Sequence, residues 1–154
     1  MFGVSHGENV PVLPSSGSDL TVMGKPVTVV VAAVIEDSDR FLVTRRLPGV
    51  HLAGMWEFPG GKIDTDETDE QALRRELLEE LGVEANVGEP VHRTSHAYPD
   101  RTIELHFYRC DLKGAPRPAL GQDMRWVPRA ELRSLGFPPA DSELIEMLTT
   151  SGSR

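Results

Sequence analysis

Residues 61–83, GKIDTDETDEQALRRELLEELGV, contain the pattern that predicts most about the fold of this chain. Thr68 is a favourable N-cap residue, and Gln71 three positions later completes a capping box. Gly82 follows the last apolar residue, where a left-handed C-cap is expected. We therefore predict a helix over residues 68–81. Its buried stripe consists of Leu73, Leu77 and Leu81.

The predicted helix carries a cluster of carboxylates on one face. Glu76, Glu79 and Glu80 stand at positions i, i+3 and i+4, one turn apart. Three like charges at this spacing destabilise an isolated helix, and a bound cation would relieve their repulsion. Because no Cys or His lies nearby, these oxygen ligands fit Mg²⁺ or Mn²⁺ better than Zn²⁺. The alternative is a solvated acidic face paired with Arg74 and Arg75.

The spacing within residues 61–83 makes a chance arrangement improbable. At about 7% usage per residue type, seven fixed matches have a probability on the order of 10⁻⁸ per start site. The seven residues are Gly61, Glu67, Arg75, Glu76, Glu79, Glu80 and Gly82. A carboxylate array on a loop and the helix after it points to hydrolysis of a phosphate anhydride held by a divalent metal ion.

These residues match every defined position of the Nudix box, G-x5-E-x7-R-E-U-x-E-E-x-G-U with U apolar, so the chain resembles the Nudix hydrolases. Residues 51–62 (HLAGMWEFPGGK), 98–101 (YPDR) and 137–140 (FPPA) resemble the MutT-like branch of nucleoside triphosphate pyrophosphohydrolases. The similarity covers about residues 25–149. It implies an α/β/α sandwich fold, with a nucleoside monophosphate and pyrophosphate as products.

The resemblance implies catalytic and metal-binding roles for individual residues. Glu67 and Arg75 would orient the catalytic loop, although Arg75 as an ordinary i+4 partner of Glu79 is the rival interpretation. The pair Gly60-Gly61 would let the backbone approach metal and phosphate, where a plain turn is the alternative. The implied metal set is Gly60, Glu76, Glu79 and Glu80, and the implied catalytic set is Glu67, Arg75, Glu76, Glu79 and Glu80.

A second group of residues is predicted to bind the nucleotide. Arg46 and Arg101 match positions that the branch uses for phosphates, and a forked guanidinium suits phosphate; two surface arginines are the alternative. Phe58 and Tyr98 would flank the base, since aromatic rings stack on nucleobases, although ordinary packing explains them equally well. Glu57 is expected at the metal or at the base edge.

Two positions depart from the branch. Where MutT-like proteins often have Glu-Gly-Gln, this chain has Leu120-Gly121-Gln122, so Gln122 or Asp123 would have to substitute for the acid, or the helix carboxylates suffice. Asp141 follows residues 137–140, where the enzymes that remove 8-oxoguanine nucleotides have Asn. An ionised carboxylate only accepts hydrogen bonds, so Asp141 suits a cytosine amino group or guanine ring N–H groups, or it only flanks the last helix.

Composition fits a compact single-domain enzyme. The chain has 154 residues, a net charge of −8 and a pI of about 5.1, which argues against a groove for a nucleic-acid polymer. The single Cys110 cannot form an internal disulfide, so we expect a cytoplasmic protein. No apolar run approaches the roughly 20 residues of a membrane span, and no secretory signal is visible.

The chain divides into a leader and one domain. Residues 1–24 are rich in Gly, Ser and Pro without periodicity, which predicts a flexible leader, either native or appended ahead of a natural start at Met23. Residues 25–150 form the predicted Nudix hydrolase domain. We expect strands at 27–35, 41–44, 56–58, 85–95, 102–112 and 124–127, and further helices at 129–135 and 140–148. A mixed sheet covered by helices on both faces follows.

The predicted function is Mg²⁺-dependent hydrolysis of a nucleoside triphosphate, with Mn²⁺ as a possible substitute. The leading substrate is an oxidised purine such as 8-oxo-dGTP, and the alternative is a cytidine-type or other modified dNTP. A non-catalytic nucleotide-binding module of the same fold is the alternative from another class. We expect a monomer or a homodimer, without a membrane partner.

Overall fold

The computed structural model describes residues 21–22, 24–50 and 52–150. Its strands are β1 (Thr21–Val22), β2 (Lys25–Val34), β3 (Glu36–Asp37), β4 (Arg40–Arg45), β5 (Trp56–Glu57), β6 (Gly60–Lys62), β7 (Ala85–Tyr98), β8 (Arg101–Leu112) and β9 (Met124–Pro128). Its helices are α1 (Asp69–Leu81) and α2 (Ser142–Thr150), with short 3₁₀ helices at Arg129–Ser134 and Pro139–Asp141.

The strands form one mixed and one antiparallel sheet. In the mixed sheet, β2 pairs parallel with β8 and antiparallel with β6, and β7 pairs antiparallel with β8. The smaller sheet joins β3, β4, β5 and β9, with β4 in the centre. The parallel pairing sets Val27 against Thr102 and Val34 against Arg109, so residues about 75 apart in sequence become neighbours.

Strand β2 is buried on both faces because a helix covers each of them. Its odd-numbered residues from Val29 to Ala33, together with Ile35 just after the strand, pack with the apolar stripe of α1. Its even-numbered residues, from Val30 to Val34, belong to the same buried apolar cluster as residues of α2. This arrangement explains the nearly continuous apolar sequence of β2, which is typical of a strand buried on both faces. The predicted fold, a mixed sheet between helices, is confirmed.

The ends of α1 have the predicted local structure. The backbone N–H of Gln71 donates to the Thr68 hydroxyl at 3.1 Å, and the Thr68 N–H donates to the Gln71 side chain at 2.9 Å. Gly82 has a φ of 71°, the left-handed conformation that glycine adopts without steric cost. Both caps are local in sequence, which is why they could be predicted.

Other boundaries differ from the predictions. The helix expected at 129–135 is a 3₁₀ helix, a form common in short connecting segments, and the one expected at 140–148 is a 3₁₀ turn followed by α2. Strand β7 extends to Tyr98, because pairing with β8 outweighs its polar composition. Strand β1 lies inside the predicted leader and pairs with Lys25 and Pro26, whereas residues 1–20 and 23 lie outside the described residues.

Candidate active site

A cavity of about 400 Å³ lies beside β2 and the C-terminal half of α1. One end is lined by the glycine strand β6 and by carboxylates of α1, and the other by Tyr98, Ala140 and Asp141. Apolar side chains of β2 and β8 line the part between them, namely Val30, Ala32, Ile103, Leu105 and Phe107. The cavity therefore joins a polar, acidic end to an apolar slot.

The glycines of β6 allow close packing at the acidic end. A Cβ atom on Gly60 would lie 2.0 Å from the carbonyl oxygen of Val31, so no side chain fits there. A Cβ atom on Gly61 would lie 2.4 Å from the carboxyl group of Glu76. The backbone of β6 thus runs directly beside a carboxylate of α1, which supports the predicted close approach over a plain turn.

The helix presents two of its three clustered carboxylates to the cavity. Glu76 and Glu80, one turn apart, line it, and the Glu76 side chain is only 15% exposed. Glu79 is 56% exposed and is not among the lining residues. The split follows from helix geometry, since Glu76 and Glu80 share a face with the edge of the buried stripe and Glu79 projects further round.

Burial and mutual repulsion make the ionised form of these carboxyl groups unfavourable unless a cation binds beside them. Burial raises the pKa of Glu76 to about 7, against the opposing effect of Arg75. Burial raises the pKa of Glu80 well above its usual value, and the charges of Glu57 and Glu76 raise it further, although the Gly60 N–H donates to it. A divalent cation would offset both the burial and the repulsion.

The donor set fits a hard cation by its chemistry, although its side chains do not converge on one point. Over the described ranges, no three His, Cys, Asp or Glu side chains are grouped closely enough to hold a metal ion as they stand. Glu76 accepts a hydrogen bond from Arg75 at 3.1 Å, and Glu79 projects towards solvent. The oxygen-only donors beside a glycine backbone nevertheless match the ligands that Mg²⁺ and Mn²⁺ prefer.

Arg75 links the loop before α1 to the helix. Its Nε and Nη2 atoms donate to the two carboxylate oxygens of Glu67 at 2.6 and 2.9 Å, and Nη2 also donates to the carbonyl of Lys62 at 3.2 Å. Its distance to Glu79 is longer, at 3.7 Å. The Arg75 hydrogen bonds and the N–H of Asp64 lower the pKa of Glu67. This geometry supports the predicted bracing role over the rival i+4 pair.

A partly buried ion pair lies close enough to both Glu80 and Asp141 for its carboxylate to affect the pKa of each. Arg46 Nη1 donates to Glu57 Oε1 at 2.6 Å, and only 9% of the Arg46 side chain is exposed. Burial raises the pKa of Glu57 despite this arginine. Burial, and then the charge of Glu57, raises the pKa of Asp141 to about 8. Burial therefore favours the protonated Asp141 carboxyl, which offers both a donor and an acceptor.

The predicted aromatic residues occupy different environments. Phe58 is 4% exposed and stacks on Phe137, with ring centroids 5.3 Å apart, so it forms a packed wall of the cavity. Tyr98 is partly buried, lines the cavity and lies 4.7 Å from the ring of His96. Burial, and then the charge of Asp141, raises the pKa of Tyr98. Tyr98 therefore retains more surface for a ligand than Phe58.

The structure brings some predicted cations to the cavity and not others. Arg46 lines it, whereas Arg101 does not and donates to Asp100 at 3.1 Å. Arg45 and Lys62 also line the cavity, and sequence reasoning did not assign them a role. The available signal was their position, since Arg45 precedes Arg46 and Lys62 follows the glycine pair.

The two departures from the branch also have defined positions. Leu120 lines the cavity and is 54% exposed. Gln122 is 7% exposed and uses both atoms of its amide in hydrogen bonds. Asp123 is 64% exposed and pairs with Arg45 at 3.2 Å outside the cavity lining. No carboxylate therefore takes the place of the missing acid among these three residues.

Comparison with known proteins agrees with this geometry. The profile of the NUDIX domain matches residues 30–147. The chain is 40% identical over 128 residues to the 8-oxo-dGTP diphosphatase of Haemophilus influenzae, covering 82% of this chain and 94% of that protein. It is 41% identical over 118 residues to the CTP pyrophosphohydrolase of Escherichia coli, covering 76% of this chain and 87% of that protein.

Solved structures show the same fold. The solution structure of the E. coli ORF135 protein has a TM-score of 0.75 and 36% identity, covering 86% of this chain and 96% of that one. The MutT protein of methicillin-resistant Staphylococcus aureus has a TM-score of 0.69 and 36% identity, covering 83% and 99%. In the described part of this chain, no helix has the length and apolar character needed to cross a membrane. The fold, the carboxylate-lined cavity and these similarities together show that the chain belongs to the Nudix hydrolase family, in its MutT-like branch.

Proposed function

We propose that this protein hydrolyses a nucleoside triphosphate to a nucleoside monophosphate and pyrophosphate, using Mg²⁺. Nudix hydrolases depend on a divalent metal, and Mn²⁺ has the same preference for oxygen ligands. The observation that carries the proposal is the cavity itself, which joins the partly buried carboxylates Glu76 and Glu80 to an apolar slot that ends at Asp141. A triphosphate fits the acidic end only with a cation, and a base fits the apolar slot.

We assign the metal to Glu76, Glu79, Glu80 and the backbone of Gly60. When bound, the ion supplies positive charge for the phosphate oxygens and activates water as a nucleophile. One of the clustered carboxylates, or a group beside them, would accept the proton of the attacking water. The bidentate pair of Arg75 and Glu67 braces the loop against α1.

The remaining cavity residues would position the nucleotide. Arg45 and Lys62 line the cavity and supply positive charge for phosphate oxygens, together with the guanidinium of Arg46. Arg101 lies outside the cavity lining, so its predicted role requires a movement on binding. Tyr98 would stack on the base, and the packed ring of Phe58 would form the opposite wall.

Asp141 can form hydrogen bonds with two classes of base. As a protonated carboxyl it can donate and accept, as an amide does, which fits the carbonyl and N–H edge of 8-oxoguanine. In its ionised form it accepts from the amino group of cytosine. We favour an oxidised purine such as 8-oxo-dGTP, and the second candidate is a cytidine-type nucleotide. Similarity to both an 8-oxo-dGTP diphosphatase and a CTP pyrophosphohydrolase supports these two classes.

The test is a panel of 8-oxo-dGTP, dGTP, CTP and 5-methyl-dCTP, with pyrophosphate release measured through an added pyrophosphatase. We expect kcat/KM to be highest for 8-oxo-dGTP and Glu80→Gln to abolish turnover. The matched control is Glu84→Gln, whose side chain is 68% exposed and lies beyond the C-terminal end of α1. A protein that binds these nucleotides without releasing pyrophosphate would instead be a non-catalytic binding module. We further propose a cytoplasmic location and a monomeric or homodimeric state.

A further inference from the structure

We propose that Gln122 is a positioning residue, whose amide fixes the backbone of Glu80 and thereby the direction of its carboxylate. The inference rests on the proposed function, in which Glu80 holds the metal. It assigns a role to the loop that carries Leu120 in place of an acid: the loop orients a carboxylate of α1 and supplies none of its own.

The loop before β9 closes the C-terminal end of α1. Gln122 Nε2 donates to the carbonyl oxygen of Glu80 at 2.9 Å, and the N–H of Ala119 donates to the same oxygen at 3.0 Å. The N–H of Arg117 donates to the carbonyl of Leu81 at 3.0 Å. The last carbonyls of a helix lack partners within it, and α1 has no basic residue in its last turn. Donors from the loop therefore satisfy them.

Gln122 is the side chain that this arrangement depends on. Its Oε1 accepts from the N–H of Leu120 at 2.9 Å while its Nε2 holds Glu80, so one amide joins the loop to the helix. The side chain is 7% exposed, and solvent therefore competes little with these bonds. The other donors are backbone N–H groups of the loop, so their positions depend on the anchoring of the loop by Gln122.

Glu80 is consequently held at two points. Its carbonyl accepts the two loop hydrogen bonds, and its carboxylate accepts from the N–H of Gly60. Rotation of the last turn of α1 would move this carboxylate relative to β6, where the phosphates are proposed to lie. Removing an outer hydrogen bond that orients a metal ligand typically lowers metal affinity or activity by about 10- to 100-fold.

The chemistry at position 122 requires an amide. The site uses one donor and one acceptor, and an ionised carboxylate has no donor. A carboxylate there would set an acceptor against the Glu80 carbonyl, next to the acidic end of the cavity. Gln122→Glu, which has nearly the same shape, therefore separates the positioning role from a role as a metal ligand or base.

The experiment compares Gln122→Met and Gln122→Glu with the wild type. Mn²⁺ binding is measured by electron paramagnetic resonance without nucleotide, and kcat and KM are measured with 8-oxo-dGTP. We expect both variants to bind Mn²⁺ about 10- to 100-fold more weakly and to lose kcat by a similar factor, with KM changed less than about twofold. Gln71→Met is the matched control, because it removes a glutamine cap from the other end of α1. It should lower the melting temperature and leave Mn²⁺ affinity unchanged.

Two results would overturn the inference. Equal or higher activity of Gln122→Glu would show that the position works as a ligand or base. Unchanged Mn²⁺ affinity and kcat in the folded Gln122 variants would show a purely structural role. If Gln122→Met does not fold, the nearly isosteric Gln122→Glu decides alone. A wild-type protein that binds no Mn²⁺ and hydrolyses no nucleotide would instead refute the proposed function, on which the inference rests.

Discussion

Replacing Glu76 with Gln should stabilise the metal-free protein at neutral and alkaline pH while it removes activity. Burial raises the pKa of Glu76 from an ordinary value of 4.5 to about 7, and the fold therefore favours the protonated carboxyl. Stability from this group is fully present below pH 4.5 and is lost as the pH rises through about 7. Glutamine remains uncharged across this window, so the variant avoids the loss.

The structure sets the size of the effect. At 1.36 kcal/mol per pKa unit, the interval between 4.5 and about 7 corresponds to about 3 kcal/mol. The Glu76 side chain is only 15% exposed, so solvent screening reduces this value little. For a protein of this length, 1 kcal/mol shifts the melting temperature by about 2–4 °C. The variant should therefore melt roughly 6–12 °C above the wild type at pH 8 in EDTA.

The assay is thermal and urea denaturation of both proteins between pH 5 and 8.5, with and without metal. In EDTA the stability difference should be small near pH 5 and should grow as the pH rises. Saturating Mg²⁺ should reverse the order at pH 8, because a ligand that binds only the native state stabilises the protein with the intact site.

Two outcomes would refute this reasoning. A stability difference that stays constant from pH 5 to 8.5 would mean that Glu76 does not titrate as a buried carboxyl. A wild-type protein that gains no stability from Mg²⁺ would show that no metal binds beside Glu76. The control is Glu84→Gln, an exposed carboxylate 3.9 Å from Lys113, for which we expect a change within about 0.5 kcal/mol at every pH.

Other perturbations test the remaining parts of the site. Hydrolysis should stop in EDTA and return with Mg²⁺ or Mn²⁺; activity that survives exhaustive chelation would contradict this. Glu80→Gln should lower kcat by orders of magnitude with an unchanged circular dichroism spectrum, and a folded, fully active variant would contradict the assignment of Glu80. Arg75→Lys should lower kcat by about 10- to 100-fold, because lysine cannot form the bidentate pair with Glu67; a folded variant with full activity would exclude the bracing role. In the wild type, the ratio of kcat/KM for 8-oxo-dGTP to that for CTP should fall as the pH rises through about 8, where Asp141 loses its donor. The Asp141→Asn variant should show no such pH dependence. Above pH 8 its ratio of kcat/KM for 8-oxo-dGTP to that for CTP should exceed the wild-type ratio by roughly 5- to 150-fold, since one good hydrogen-bond pair contributes about 1–3 kcal/mol. Equal ratios in the two proteins would show that Asp141 does not take part in base recognition. Deleting residues 1–20 should leave kcat/KM and the melting temperature unchanged, because the segment has no apolar periodicity to bury; a loss of several degrees would argue that it packs on the domain.

Local sequence was sufficient for the elements whose causes are local. The capping box of Thr68 and Gln71 and the glycine at position 82 define the ends of α1 through contacts within four residues. The spacing of Glu76 and Glu80 puts both on one face of any helix that forms there. The apolar run of β2 indicated a strand buried on both faces, and the Nudix box indicated the family.

The tertiary structure decided which of these residues can act. The parallel pairing of β2 with β8 joins segments about 75 residues apart and builds the apolar slot, and no local pattern encodes that register. Burial separates Glu76 from the exposed Glu79 and raises the pKa of Asp141 to about 8, because desolvation depends on everything packed around a group. The hydrogen bond from Gln122 to the carbonyl of Glu80, 42 residues earlier, likewise forms only once the chain has folded. The sequence thus determined the chemical groups and their local spacing, whereas long-range packing determined their solvation and their partners.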